Sequence, residues 1–242
     1  MINLKKILLT SFLLFTTIYS KSATIESFFE KSDKFFSVYI VDGRVEYESL
    51  KYNSDLLNET LTIAATMDIN TLDLNSYKAF WINTYNLLVI KGILNNYPMK
   101  SVQEIKGFFD NKSYQVANQD MTLKFIEKNM LRKVLKEPLL NFVLVCAANG
   151  CPPLINKAYM PEYIDEQLDN QTKISINNPN FIRINEKTKT IEVSEIFDWY
   201  KDDFLDNNGR IIDFINKYRK VKIDVNYKVS YYKYDWSLNS VK

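Results

Sequence analysis

Apolar residues recur along the chain with two periods, and the switches between them mark out its elements. Residues 37–41 and 44–47 alternate on either side of Asp42-Gly43, a dipeptide that suits a tight hairpin. Leu56, Leu57, Leu61, Ile63 and Ala64 give residues 55–67 one apolar side, which predicts a helix. Residues 77–96 form a longer helix: Phe80, Leu87, Leu88, Gly92 and Leu94 keep the helical spacing, and Pro98 marks the end. That helix is apolar nearly all round, which places it in the middle of the fold. Residues 122–135 make a further helix, lined by Phe125, Ile126, Met130, Leu131 and Val134, with Asp120 or Thr122 as its cap.

The run 139–146 is apolar and too short for a helix, so it reads as a buried strand. Pro161 occupies the first turn of a helix reaching to about residue 175. Residues 181–184 and 190–193 read as a second hairpin. Ser194 caps a helix carrying Ile196, Phe197, Tyr200 and Phe204, closed by Asn208-Gly209. A short helix over 211–218 precedes a tail in which Val221, Ile223, Val225, Tyr227, Val229 and Tyr231 alternate, a strand signal with one buried face. There is no repeat and no Gly/Ser linker. The fold class is α+β: one domain over residues 24–242, with a central apolar helix packed with a small mixed or antiparallel sheet.

Residues 1–23 have a different character. Lys5 and Lys6 precede an apolar run over 7–19, followed by the small residues Ser20, Ser22 and Ala23, the layout of a secretory signal peptide. The run is short for a bilayer span and is diluted by hydroxyl residues. Its removal takes away three lysines and no acid, so 31 basic against 29 acidic residues become 28 against 29. A near-neutral surface gives no reason to expect nucleic acid as a partner, and no other apolar stretch is long enough to span a membrane. The expected location is periplasmic or secreted, and the expected partner is a ligand or protein of the envelope.

The 242-residue chain contains no histidine and two cysteines, which excludes Ser-His-Asp and Cys-His catalysis, His-ligated metal and Cys₄ sites. No cofactor or metal is expected. Asp202, Asp203 and Asp206 invite a calcium reading, but the spacing puts Phe204 and Ile215 at ligand positions. The chemistry that remains gathers in Cys146-Ala-Ala-Asn-Gly-Cys151-Pro-Pro. Small residues let the backbone approach a ligand, and consecutive N–H groups over 147–150, around Asn149 and Gly150, are able to form an anion site. Three readings stay open for the cysteines. They form a disulfide, worth about 2 kcal/mol for so short a loop; they are two buried inert thiols; or one is an activated nucleophile, Cys151 ahead of Cys146 because Gly150 and the prolines suggest an exposed turn. Glu127 is a candidate general base and Lys128 a cation favouring a thiolate, against two solvated helix charges. Asn83 and Asn86 share a face of the central helix. Buried amides need partners, so they either tie down loops or line a pocket.

Five blocks, AFWINTYN (79–86), LKFIEKNMLR (123–132), NFVLVCAANGCPPL (141–154), SEIFDWYKDDF (194–204) and YDWSLN (234–239), give the chain its resemblance to the domain of unknown function 547 family, over about residues 45–239. The resemblance implies a thiol site but no established reaction. The family usually carries His at the positions of Lys128 and Asn141, and Arg at that of Leu139; here both imidazoles are missing, while Glu127, Cys146, Cys151, Asn83 and Asn86 are kept. The expectation is a non-catalytic binding or assembly module that keeps a thiol-site fold. The competing expectation is a thiol-dependent hydrolase or acyltransferase with Glu127 and Lys128 in place of histidine.

Overall fold

The computed structural model describes residues 24–205 and 209–241. The leader segment and the helix end expected at Asn208 lie outside the described residues. In chain order the elements begin with α1 (Ile25–Tyr39), the short strands β1 (Ile40–Val41) and β2 (Arg44–Val45), α2 (Tyr47–Tyr52), α3 (Asp55–Ala65) and α4 (Leu74–Leu94). Next come the hairpin β3 (Ser113–Val116) and β4 (Gln119–Thr122), α5 (Leu123–Phe125), a π-helical segment Ile126–Arg132, α6 (Lys133–Leu135) and a 3-10 turn Pro138–Phe142. The last third holds α7 (Ile164–Asn177), β5 (Ile182–Asn185), β6 (Thr190–Ser194), α8 (Ile196–Trp199), α9 (Lys201–Phe204), α10 (Ile211–Tyr218) and β7 (Lys228–Tyr232).

Helix α4 is the axis. Asp73 caps it by accepting from the N–H groups of Asn75 and Ser76, and every residue from 78 to 90 is buried. An all-round apolar helix has no polar face to leave in water, so neighbours pack on every side. Helices α1, α2, α3 and α7 and the π segment supply that cover, with Phe28, Phe35, Leu50, Leu57, Leu131 and Leu168 in the same cluster.

Among the buried polar side chains of this helix, two carboxamides are fully enclosed and paired. Asn86 donates from Nδ2 to Val143 O (2.9 Å) and accepts from Val145 N–H (3.0 Å). Asn83 does the same with Tyr159, at 2.7 and 2.9 Å. Each carboxamide therefore imitates one peptide of a neighbouring strand. This explains the largest departure from the periodicity reading. Residues 139–146 are buried or half-buried but are no strand. Glu137 and Pro138 start a 3-10 turn, local bonds from Val143 and Leu144 to Leu140 O continue it, and the Asn86 amide stands where a ladder partner would be.

The sheet is small and mixed: β5 and β6 pair antiparallel, and β7 lies parallel to β6 with Ile191 opposite Val229. Its apolar face packs with α8, α9 and α10 around Phe142, Phe197, Phe204 and Phe214 in a second cluster. Leu139, Cys151 and Trp236 touch both clusters.

Three other sequence expectations change. The first hairpin is shorter, because residues 37–39 finish α1 and Tyr47 starts α2. The tail alternation yields strand only over Lys228–Tyr232, with Ile223 buried and Val221 exposed. The helix expected after Ser194 is broken at Tyr200 (φ −114°, ψ 33°), although the Ser194 hydroxyl accepts from Ile196 N–H as a cap does (3.4 Å). The hairpin turn keeps its chemistry: Asp42 and Gly43 take φ of 49° and 78°, and a Cβ on Gly43 would run into Pro153. Gly43 O also accepts from Leu154 N–H, so this turn holds the far end of the cysteine loop (3.1 Å).

Asn86→Ala leaves a buried carbonyl and a buried N–H unpaired beside a new void, so we expect a stability loss of about 3 kcal/mol. Asn83→Ala should cost a similar amount. Urea unfolding of each variant checks this, and losses under about 1 kcal/mol would show that the amides are not the ties.

Candidate functional site

The cysteine loop is gripped from both sides. Asn149 and Gly150 donate their N–H groups to Ser237 O and Asp235 O (both 2.8 Å), and Asn239 N–H returns a bond to Ala147 O (3.1 Å). Cys151 N–H donates to Ala148 O at 3.1 Å. The amides of Asn149 and Gly150 are therefore engaged by the C-terminal segment and do not form the anion site expected of residues 147–150. Gly150 has no room for a side chain, because a Cβ there would meet the ring of Tyr234 at 2.8 Å.

Cys146 and Cys151 bring their sulfurs to disulfide distance, with Cα atoms 6.5 Å apart. Cys146 N–H points at Cys151 Sγ (3.0 Å). The Tyr234 hydroxyl donates to Cys151 Sγ (3.0 Å) and lies 2.9 Å from Cys146 Sγ. Burial, with Tyr200 and then Tyr232 adding to it, pushes the Tyr234 phenol well above its ordinary range, so it holds its proton.

Both sulfurs border a cavity of about 220 Å³. Leu140, Leu144, Val145 and Ile196 make its apolar wall; Tyr85, Trp199, Tyr200, Tyr234 and Trp236 make its aromatic one. Trp199 and Trp236 stack at 5.8 Å, and Tyr234 sits 4.8 Å from Trp236.

Charged and polar groups border the same cavity through Glu127, Arg132 and Asn141. Glu127 and Arg132 are five residues apart, a spacing that diverges on a regular α-helix. The π segment turns them onto one face, as inserted π turns do at many functional sites. Arg132 donates from Nε to Glu127 Oε1 (2.8 Å), from Nη1 to Asp203 Oδ2 (2.5 Å) and from Nη2 to Asn141 Oδ1 (2.8 Å). Its guanidinium lies 4.1 Å from the centre of the Tyr200 ring. Tyr200 also donates its hydroxyl to Glu127 Oε1 (3.0 Å), and Asn141 Nδ2 donates to Asp203 Oδ2 (2.8 Å). Burial opposes the Arg132 charge, but Glu127, Tyr200 and Asp203 outweigh it and hold its proton more tightly than usual. Burial first and the Glu127 charge second push Tyr200 up to about 12.

Of the residues singled out by sequence, Cys146, Cys151, Glu127 and Asn141 meet around this cavity. Lys128 does not. It is exposed on the outer side of the π segment, and Arg132 is the cation beside Glu127. Asn83 and Asn86 hold loops and do not border the cavity. Asn149 and Gly150 border a neighbouring hollow of about 190 Å³, which shares Cys151 as a wall. Sequence reasoning missed Arg132, Tyr200, Asp203 and Tyr234, although each stands in a quoted block. The spacing of five hid Arg132, and Asp203 had been weighed only for calcium.

This geometry defines an α+β protein in which a paired-cysteine loop and a carboxylate–guanidinium network border one aromatic cavity. Residues 69–174 match the family described as Protein of unknown function, DUF547, and the match supports membership of that family. The match covers the first three blocks and stops within α7. No curated protein and no solved structure matches the chain.

Removing the guanidinium by Arg132→Gln leaves Glu127 and Asp203 facing each other half-buried, and we expect a loss of about 3 kcal/mol by urea unfolding. Alkaline titration supplies a second check. Tyrosine pKa values raised by folding mean that the unfolded chain ionises first. Their stabilising effect is complete below about pH 10 and fades as pH rises through the folded values, about 12 for Tyr200. Stability should fall steadily over that window. Normal phenolate absorbance from every tyrosine in the folded protein near pH 10 would contradict it.

Proposed function

We propose that the protein is an exported, non-catalytic binding module that keeps the cavity of a thiol site, with its cysteines serving as a bridge and not as a nucleophile. The observation that carries this reading is the state of the reactive groups. The two sulfurs lie at disulfide distance under the Tyr234 hydroxyl, and Glu127 accepts from both Arg132 and Tyr200. With no histidine in the chain, no imidazole is present to activate a thiol. What stands open is the cavity itself, concave and mostly apolar with a few polar groups, as small-molecule sites are. Export is supported by the layout of residues 1–23, and no described helix is long and apolar enough to cross a membrane.

One observation favours the hydrolase or acyltransferase alternative. Cys151 Sγ already receives an N–H from Cys146 and an O–H from Tyr234, two donors that would stabilise a thiolate once the pair was reduced.

Alkylation separates the two. The folded, unreduced protein is treated with iodoacetamide from about pH 5 to about pH 9, spanning the ordinary thiol pKa of about 8.5. The binding module gives no adduct and a mass two hydrogens short, restored by reduction. Fast labelling of Cys151 or Cys146 below about pH 7 would overturn it in favour of the enzyme.

A further inference from the structure

We infer that the cavity beside the cysteine pair takes a small organic cation, an amine whose ammonium meets Glu127 and Tyr85 while its body lies among Trp199, Tyr234 and Trp236. The inference rests on the binding-module reading and names its ligand class.

Three observations point this way. The first is an unmet polar group. Tyr85 is 3% exposed and borders the cavity, and its hydroxyl has no hydrogen-bond partner among the described residues. Glu127, Tyr200, Arg132 and Tyr234, whose charges act on it, border the same cavity, which is the space open to a partner for it. Glu127 repeats the pattern: Oε1 accepts from Arg132 and Tyr200, while Oε2 accepts from no described residue. A carboxylate oxygen is an acceptor only, so it calls for a donor.

The second is charge. Glu127 and Asp203 face one guanidinium, leaving the cluster one negative charge in excess. Arg132 is committed to three acceptors and the Tyr200 ring, and Lys128 lies outside. An anion entering here meets no uncommitted cation, whereas a cation completes the balance.

The third is the wall. Aromatic faces attract cations through their quadrupoles, and a set of Trp and Tyr rings around a carboxylate is the arrangement that recognises alkylammonium groups. Trp199 stays 47% exposed while stacked on Trp236, which puts a large ring at the rim, where a ligand entering the cavity passes it. At about 30 Å³ per water the cavity holds about seven, room for a single-ring or short-chain amine and not for a polymer.

Calorimetry with three isosteric probes, benzylamine, benzyl alcohol and benzoate, on the folded and unreduced protein tests this. Benzylamine should bind about tenfold or more tighter than the other two. Glu127→Gln should remove about that advantage and leave benzyl alcohol nearly unchanged, and Tyr85→Phe and Trp199→Ala should each weaken benzylamine several-fold. If Glu127→Gln fails to fold, the exposed-rim Trp199→Ala variant and the wild-type probe series decide the matter. Benzoate or benzyl alcohol matching benzylamine, or no binding by benzylamine at millimolar concentration, overturns the cation. The binding module itself is judged separately: a fast-labelling cysteine would overturn it whatever the amine does, and a preference for benzoate would leave it standing.

Discussion

Two carboxamides on the buried central helix hold this molecule together. Asn83 and Asn86 sit three residues apart on α4, each fully buried and each paired in both directions with the backbone of a segment that has no ladder partner of its own. One segment leads into the cysteine loop and the other leaves it. A loop carrying its own unsatisfied N–H and C=O groups cannot be buried without partners, and here α4 provides them from side chains. The C-terminal segment then grips the middle of the loop through Asn149, Gly150 and Ala147. The sulfurs and Tyr234 are thus positioned by the central helix at the two ends of the loop and by the chain terminus at its centre.

That arrangement explains where periodicity was a good guide and where it failed. It found α3, α4, α7, α10 and the β5–β6 hairpin, because each buries a face whose spacing is written in its own residues. It misread residues 139–146, because an apolar run reports burial and not the partner of its backbone. That partner was the Asn86 amide, whose role as loop tie or pocket wall the sequence left open. The tail after residue 220 failed for a related reason: alternation marks the residues that face inward, but only the stretch that lies alongside β6 can form a ladder.

The site was legible by residue type and illegible by geometry. Cys146, Cys151, Glu127 and Asn141 were singled out and do converge on the cavity. Lys128 was weighed as a cation favouring a thiolate or as a solvated helix charge, and it is exposed, since adjacent helical residues point apart. Arg132 takes its place only because the backbone widens into a π turn between Glu127 and Arg132, and nothing in a period of 3.6 announces that. Tyr234 lies far along the chain from the cysteines and reaches them through the fold alone.

The missing histidines acquire a structural meaning from the same network. Of the two positions at which the family resemblance leads one to expect imidazole, Lys128 faces solvent and bears on nothing in the cavity. Asn141 is the one that matters. It accepts from Arg132 and donates to Asp203 at once, a neutral group serving as both acceptor and donor. A protonated imidazole has only donors and would confront the guanidinium with a second cation. A neutral imidazole can also do both, but it carries a titratable base into reach of the cavity. With the carboxamide in that position the network has no imidazole. Glu127 accepts from Arg132 and Tyr200 at one oxygen and borders the cavity together with the cysteine pair.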